Sequence, residues 1–158
     1  MQVAVEYGKK LIKEGYVMKI SARNILEGTV SDVKKGQVMA VVKLMLPSGT
    51  AISSIITNES ADRLGLKSGV KAHAIIKASS VIMGKEVAGI NISARNIIKG
   101  KVQKVKEGMV MAEIVLDIGG GNTMTSTISD ESVKRMGLKV GDEAYAIVKA
   151  TSVMLGVD

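Results

Sequence analysis

Two short polar sequences carry the side chains best suited to act on a ligand, and each of them occurs twice. The first reads Ser-Ala-Arg-Asn, at residues 21–24 and again at 93–96. The second reads Lys-Ala-Ser-Ser at residues 77–80 and Lys-Ala-Thr-Ser at 149–152. Both provide cationic and hydroxyl donors beside small residues, and neither contains a carboxylate. Donors without an acid or a nucleophile–base pair predict binding of an anion and no covalent chemistry.

A fully ionised tetrahedral oxyanion is the ligand that suits these donors best. Such an anion has acceptors only, so its best pocket presents donors only. Arginine and lysine add charge-assisted hydrogen bonds, and small residues let backbone N–H groups approach to form an anion-binding concavity. Charge-assisted bonds contribute roughly 1.5–3 kcal/mol each. A few of them therefore reach the roughly −8 kcal/mol that corresponds to micromolar binding.

Structural roles compete with ligand binding for the same residues. An Arg-Asn pair at the start of a strand is also typical of a cap or a chain contact, and a Lys-Ala-Ser-Ser run is typical of a solvated turn. Thr57 and Ser129 fit a strand end or a helix cap. Ser54 and Ser126 keep a hydroxyl group on the third predicted strand of each repeat and are further candidates for a ligand site. Residue types and spacing thus favour an anion site without identifying the anion.

The polar clusters belong to a tandem repeat that fills most of the chain. From Ile20 onward the sequence matches itself without a gap at an offset of 72 residues, as from Ser21 to Ser93. About half of the aligned positions are identical, far more than chance gives for a gapless match. The predicted organisation is an N-terminal arm at 1–18, a first lobe at 19–84, a linker at 85–90 and a second lobe at 91–158.

Each repeat predicts a small lobe that is mainly β. A helix is predicted at 59–64, with Asn58 as its cap and Gly65 as the left-handed residue that ends it. The equivalent positions in the second repeat are 131–136, Asp130 and Gly137. Runs of β-branched and aliphatic residues between turn signals predict the strands. In the first repeat these strands are expected at 25–33, 38–46, 50–57, 70–76 and 81–83.

Five short strands and one short helix in a lobe are typical of a small OB-like β-barrel. The expected fold class is therefore all-β in the main, with two tandem OB-like lobes. The N-terminal arm has no counterpart in the repeat, and its apolar spacing predicts a short amphipathic helix at about 4–14. Because a lobe of this size has a marginal core of its own, we expect a homo-oligomer.

The composition argues against several functional classes. The chain has no cysteine and one histidine, which argues against disulfides, direct metal ligation and a Ser/His/Asp triad. That histidine, His73, aligns with Tyr145 in the second repeat, which favours a packing role. No paired carboxylates are found either, so the chain is not expected to be an enzyme. No apolar run reaches the ~18 residues of a membrane span, and lysines interrupt the N-terminus where a signal peptide would be apolar. A cytoplasmic protein without a membrane partner is expected.

The net charge of +7 attracts anions in general. The basic residues are scattered, however, and do not form a block of like charge. Proteins that bind single-stranded nucleic acid usually stack bases on aromatic side chains, and this chain has three tyrosines and no Phe or Trp. The composition therefore argues against nucleic acid as a partner, and an OB-type nucleic-acid binder stays as an alternative that rests on barrel class and positive charge alone.

The motifs together resemble a known family. Ser-Ala-Arg-Asn followed by a Gly-x-Val strand, then Arg-Leu-Gly-Leu or Arg-Met-Gly-Leu, then Lys-Ala-Ser-Ser-Val or Lys-Ala-Thr-Ser-Val is similar to the molybdate-binding Mop-type, or TOBE-like, domain. Two such domains in tandem resemble a di-Mop molbindin. The resemblance covers about 20–84 and 92–156. It implies OB-like lobes that assemble into a symmetric homo-oligomer, with a trimer favoured.

The resemblance also implies the ligand and the site residues. The ligand would be molybdate or tungstate, with no organic cofactor, bound at interfaces between lobes and between chains. One cluster of a site would come from one lobe and the other cluster from another lobe. The implied contacts are Ser21, Ala22, Arg23, Lys77, Ala78, Ser79 and Ser80, with Ser93, Ala94, Arg95, Lys149, Ala150, Thr151 and Ser152 in the second repeat, and Ser54 and Ser126 are further candidates.

Two functions follow from the resemblance. The first is an intracellular oxyanion store or buffer for molybdenum homeostasis. The alternative is the ligand-sensing half of a molybdate-responsive transcription regulator, because residues 6–12 resemble the end of a winged helix-turn-helix domain. Related domains also occur in transporter ATPases, but the chain has no Gly-x-x-x-x-Gly-Lys-Ser/Thr loop for nucleotide phosphates.

Overall fold

The computed structural model describes the backbone of residues 12–13, 16–17, 20–87 and 89–158, and the side chains of 20–87 and 89–158. The fold is mainly β, as predicted. Two short helices and two 3-10 turns, Ala78–Ser80 and Ala150–Ser152, accompany the strands. Within the described part of the chain, no helix has the length and apolar character needed to cross a membrane. The elements in chain order are β1 (Ile12–Lys13), β2 (Tyr16–Val17), β3 (Asn24–Lys35), β4 (Met39–Met45), β5 (Ala51–Thr57), α1 (Asn58–Arg63), β6 (Lys71–Ile76), β7 (Ile82–Gly84), β8 (Asn96–Lys106), β9 (Met111–Gly119), β10 (Asn122–Ser129), α2 (Asp130–Met136), β11 (Glu143–Val148) and β12 (Met154–Gly156).

The N-terminal helix predicted at 4–14 is wrong at its last turn. Ile12 and Lys13 form β1, and they pair with Val17 and Tyr16 of β2 in an antiparallel ladder. The other residues of the predicted helix lie outside the described residues. An isolated helix this short is marginal in water, and Ile12, Tyr16 and Val17 are residue types that favour strands.

Each helix begins one residue earlier than predicted. The Thr57 hydroxyl accepts the backbone N–H of Ser60 at 3.1 Å, and the Ser129 hydroxyl accepts that of Ser132 at 3.1 Å. The predicted caps, Asn58 and Asp130, are instead the first helical residues. The strand therefore runs directly into the helix, and its last residue supplies the cap. The predicted left-handed residues are confirmed, with φ of 63° at Gly65 and 61° at Gly137.

The two repeats exchange their last strand. The sheet orders are β12-β6-β3-β4-β5 and β10-β9-β8-β11-β7. β7 ends the first repeat but pairs with β11, with Ile82 opposite Ile147. β12 ends the second repeat but pairs with β6, with Met154 opposite Ile75. The five strands expected per lobe are present, but the fifth comes from the other repeat.

This exchange gives the chain one apolar cluster that contains residues from both repeats. Side chains alternate between buried and exposed along β4 and β9, as a strand with one covered face requires. Leu26, Leu44, Ile114 and Leu116 are completely buried. Branched aliphatic side chains therefore fill the space that aromatic rings occupy in many cores.

The linker is held to the second repeat by an ion pair. Lys85 Nζ lies 3.1 Å from Asp142 Oδ2 and also donates to the Gly137 carbonyl at 3.3 Å. The hydrogen bond from Lys85, together with one from the backbone N–H of Lys139, holds the pKa of Asp142 below its ordinary value. The carboxylate therefore stays ionised at neutral pH, and the contact would weaken only as the pH falls through that lowered pKa.

Close packing at Gly100 gives a first testable prediction. A Cβ atom there would lie 2.4 Å from the Asp117 carbonyl oxygen and 2.7 Å from Leu116 Cγ. A backbone oxygen can move only if its strand shifts. We therefore expect Gly100→Ala to lower the free energy of unfolding by about 1–3 kcal/mol. Urea denaturation followed by circular dichroism measures this loss.

The matched control is Gly156→Ala. Its added Cβ would meet the flexible end of Ile75, whose Cδ1 lies 3.2 Å away. We expect this variant to unfold within about 0.5 kcal/mol of the unmodified protein. Equal losses at Gly100 and Gly156 would contradict the packing argument.

Candidate anion-binding site

The strand register brings together the two polar clusters of the same repeat. Asn24, the first residue of β3, lies opposite Ile76, the last residue of β6. Residues 21–23 and 77–80 therefore leave the sheet at the same end of neighbouring strands. The second repeat has the same arrangement, with Asn96 of β8 opposite Val148 of β11. The resemblance implied that a site takes its two clusters from different lobes, whereas within one chain the neighbours are clusters of the same repeat.

Most of the predicted donors face solvent. The exposed members are Ser21, Arg23, Lys77, Ser79, Ser93, Arg95, Lys149 and Thr151. The half-buried members are Ala22, Ser80, Ala94 and Ser152. Ala78 and Ala150 are buried and anchor the 3-10 turns that carry the second cluster. The donors thus line an outer surface that is open to a second lobe or chain.

Each 3-10 turn has N–H groups at its start that no side chain caps. Within the first turn, the Ser80 N–H donates to the Lys77 carbonyl at 2.9 Å, and the second turn repeats this bond between Ser152 and Lys149. The lysine that precedes each turn is extended and exposed. Lysine, hydroxyl and backbone donors are therefore available together at each turn, which suits a small anion.

The asparagine of each first cluster is structural. Asn24 is buried, accepts the Thr125 N–H at 2.7 Å and donates to the Thr125 carbonyl at 2.8 Å. Asn96 makes the same pair of bonds to the backbone of Ser53, at 2.7 and 2.8 Å. Each side chain thus acts as a clamp on the edge strand of the other repeat and fixes the arginine beside it. A structural role for the asparagine of the Arg-Asn pair is confirmed for Asn24 and Asn96, and their bonds join the two repeats of one chain.

Ser54 and Ser126 support the turns from beneath. Ser54 is 1% exposed and donates its hydroxyl to the Val153 carbonyl at 2.6 Å. Ser126 is 0% exposed and donates to the Val81 carbonyl at 2.5 Å. Val81 and Val153 directly follow the two 3-10 turns. Each serine therefore positions the second cluster of the other repeat and does not lie on its exposed surface.

The two arginines have different surroundings. Arg23 Nη1 lies 3.0 Å from Glu113 Oε2, across the boundary between the repeats. Arg95 instead lines a cleft of about 530 Å³ whose other residues include Lys34 and Lys43. Glu113 was missed by sequence analysis, because one acid on an alternating strand carries no local signal of its own.

His73 has the packing role that its repeat partner indicated. It is buried on β6, between Glu27 of β3 and Gly156 of β12 in the strand register. Its Nε2 lies 3.4 Å from Asp158 Oδ1. Over the residues with described side chains, no three His, Asp or Glu side chains come close enough to hold a metal ion.

The TOBE domain model matches residues 20–83 and 92–155. The chain therefore belongs to the TOBE-domain family and carries two copies of the domain. This finding confirms the resemblance to tandem Mop-type domains that the motifs indicated.

Among relatives, the chain is similar to the molybdenum-pterin-binding protein MopA of Rhodobacter capsulatus, with 39% identity over 140 residues, 89% of this chain and 53% of that protein. It is similar to the molybdenum transport protein ModE of Herbaspirillum seropedicae, with 36% identity over 140 residues, 89% of this chain and 52% of that protein. The chain spans about half the length of these relatives. The chain is also similar to a probable molybdenum-pterin-binding protein of Haemophilus influenzae, with 56% identity over 69 residues. This match covers 44% of this chain and 100% of that protein.

The chain also resembles a solved structure over both repeats. That structure is the cytoplasmic molybdate-binding protein ModG, in a crystal form with molybdate bound. The TM-score is 0.87 at 42% sequence identity, over 89% of this chain and 100% of that one. The overall fold of the two repeats has therefore been solved before.

Proposed function

We propose that this chain binds molybdate, or tungstate with its similar shape and charge, and serves as a cytoplasmic store or buffer for molybdenum homeostasis. One observation carries the proposal. In each repeat the strand register places an Arg-bearing and a Lys-bearing cluster at the same end of the sheet, where their donors face outward. A dianion with acceptors only is the ligand that these donors would hold best. The similarity to molybdate-bound ModG supports the choice of anion.

We assign the binding to the residues of the four clusters other than Asn24 and Asn96, and give Ser54 and Ser126 a supporting role. The site needs no organic cofactor and no covalent step, since it would select its anion by charge and size. The proposed organisation remains an arm at 1–18, lobes at 19–84 and 91–158, and a linker at 85–90.

We further propose that the sites are completed between lobes and chains of a homo-oligomer, with a trimer favoured. The donors lie on an outer surface, and a surface site binds a small anion firmly only when something covers it and excludes water. Apolar side chains that are strongly exposed in one chain support self-association, because burying them would be favourable. Examples are Val38, Met109 and Val110, which are 68%, 101% and 73% exposed.

A second candidate function is the ligand-sensing half of a molybdate-responsive regulator. The similarity to ModE over about half of that protein's length favours it. A sensor should change a partner contact when the anion binds, whereas a store should not. Pull-down of partners by the purified chain, with and without molybdate, separates these two functions.

Calorimetric titration of the purified protein with sodium molybdate tests the proposed function. We expect saturable binding and a rise in melting temperature, because ligand at a hundredfold excess over its Kd stabilises the fold by roughly 2.7 kcal/mol. Sulfate, a smaller tetrahedral dianion, is the matched control and should bind more weakly. No heat of binding together with an unchanged melting temperature would refute the proposal.

A further inference from the structure

Over the residues with described side chains, the ion pair of Arg23 has no counterpart at Arg95, the equivalent residue of the second repeat. The acidic partner of Arg23, Glu113, lies within β9, opposite Lys106 of β8 and Thr127 of β10 in the strand register. The Arg23 side chain is 51% exposed and that of Glu113 is 24% exposed. A carboxylate therefore stands directly beside one of the guanidinium groups to which the proposed function assigns the anion.

The position in the first repeat that aligns with Glu113 is occupied by Val41. Val41 lies within β4, opposite Lys34 of β3 and Ile55 of β5. It lines the same cleft as Arg95, together with Asp32, Lys34, Lys35 and Lys43. Lys35 is paired with Asp62. Among the residues that the structure describes, Arg95 itself forms no ion pair, and its cleft contains three lysines and one carboxylate, that of Asp32.

This difference changes the electrostatic cost of binding a dianion. Close to Arg23, the anion must share the guanidinium with a carboxylate and is repelled by that carboxylate at short range. Close to Arg95, the guanidinium keeps its donors. Lys34 and Lys43 attract the anion and outnumber the one carboxylate of the cleft, Asp32. Both environments are partly exposed, so salt screens the difference without removing it.

We infer that the two repeats hold the anion with unequal affinity, that the Arg95 site fills first, and that Glu113 is the residue that sets the difference. The inference rests on the proposed function. It assigns Glu113 a role in setting the affinity for the anion, which its position in the middle of a strand would not reveal.

The repeat itself supplies a reciprocal experiment. Calorimetric titration with sodium molybdate would compare the unmodified protein with Glu113→Val and Val41→Glu, which exchange the aligned residues. We expect two classes of site in the unmodified protein that differ by about tenfold, the worth of one charge-assisted hydrogen bond. Glu113→Val should raise the affinity of the weak class towards that of the strong class. Val41→Glu should weaken the strong class by about tenfold for the same reason.

Glu113→Gln provides a variant of the same size that removes only the charge. It should reproduce the effect of Glu113→Val, and unfolding curves would establish that all three variants keep the fold. The difference between the classes should also shrink as sodium chloride is raised, because the repulsion is screened.

The outcomes separate this inference from the proposed function. If no form of the protein binds molybdate, the proposed function fails. If the unmodified protein binds molybdate at equivalent sites, and neither Glu113→Gln nor Val41→Glu changes them, the function stands and the inference is overturned. Weaker binding in Glu113→Gln would also overturn it, since Glu113 would then orient Arg23 for the anion.

Discussion

Replacing Asn24 with alanine is expected to lower the free energy of unfolding by about 2–6 kcal/mol, since a buried donor and a buried acceptor each lose a partner at roughly 1–3 kcal/mol. The amide of Asn24 makes both of its bonds to the backbone of Thr125, a residue of the other repeat. Its removal leaves an N–H and a carbonyl group without a partner where water cannot reach them. Urea denaturation at a fixed protein concentration would measure the loss.

Asn91→Ala is the matched control, because Asn91 is exposed and lies two residues before the first cluster of the second repeat. It should change the free energy of unfolding by less than about 0.5 kcal/mol. Asn96→Ala should behave like Asn24→Ala, since Asn96 makes the same two bonds to Ser53. A loss at Asn24 no greater than the loss at Asn91 would show that the clamp does not hold the repeats together.

The second large effect concerns affinity for the anion. Arg95→Gln should weaken molybdate binding at its site by about 10- to 100-fold, which corresponds to one lost charge-assisted interaction of roughly 1.5–3 kcal/mol. The free energy of unfolding should change little, because Arg95 is exposed and takes no part in the hydrogen bonds of the neighbouring, buried Asn96. Calorimetric titration at constant ionic strength would measure the Kd.

Lys99→Gln is the control for charge alone. Lys99 is exposed and forms a salt bridge of 2.9 Å with Glu143, outside the two clusters. Lys99→Gln removes one positive charge, as Arg95→Gln does, and it should change the Kd for molybdate by less than about twofold. If both variants weakened binding equally, the anion would be responding to the overall positive charge and not to a defined site.

The parts of the fold that were predictable have local causes. Glycines that end the helices and turn residues between aliphatic runs act within a few positions, so the strands and the left-handed residues Gly65 and Gly137 could be predicted. The gapless repeat then doubled each signal. The caps were predicted one residue late because Thr57 and Asn58 are both capable of capping, and only the backbone conformation separates them.

The exchange of the last strands could not be predicted. The segments Ile82–Gly84 and Met154–Gly156 are similar in sequence, so pattern alone cannot decide which sheet each one joins. The choice depends on the path of the chain after the 3-10 turns. A hydrogen bond from a serine of the opposite repeat fixes that path at Val81 and at Val153.

The candidate site was predictable in part for the same reason. Clusters of donors within four residues are visible in the sequence, and the structure places both clusters of a repeat at one end of its sheet. Ser54 and Ser126 carry the right hydroxyl groups, but only the fold shows that they lie beneath the turns. Glu113 is distant from Arg23 in the sequence, so nothing short of the fold could bring them together.

An anomalous difference map at the molybdenum absorption edge, from a crystal grown with sodium molybdate, examines the location of the anion directly. We expect peaks within hydrogen-bonding distance of the Arg95 guanidinium and of the turn that begins after Lys149, with the Arg95 sites fuller than those near Arg23 at limiting ligand. Peaks remote from all four clusters, or none at saturating molybdate, would contradict the assignment of anion binding to these donors.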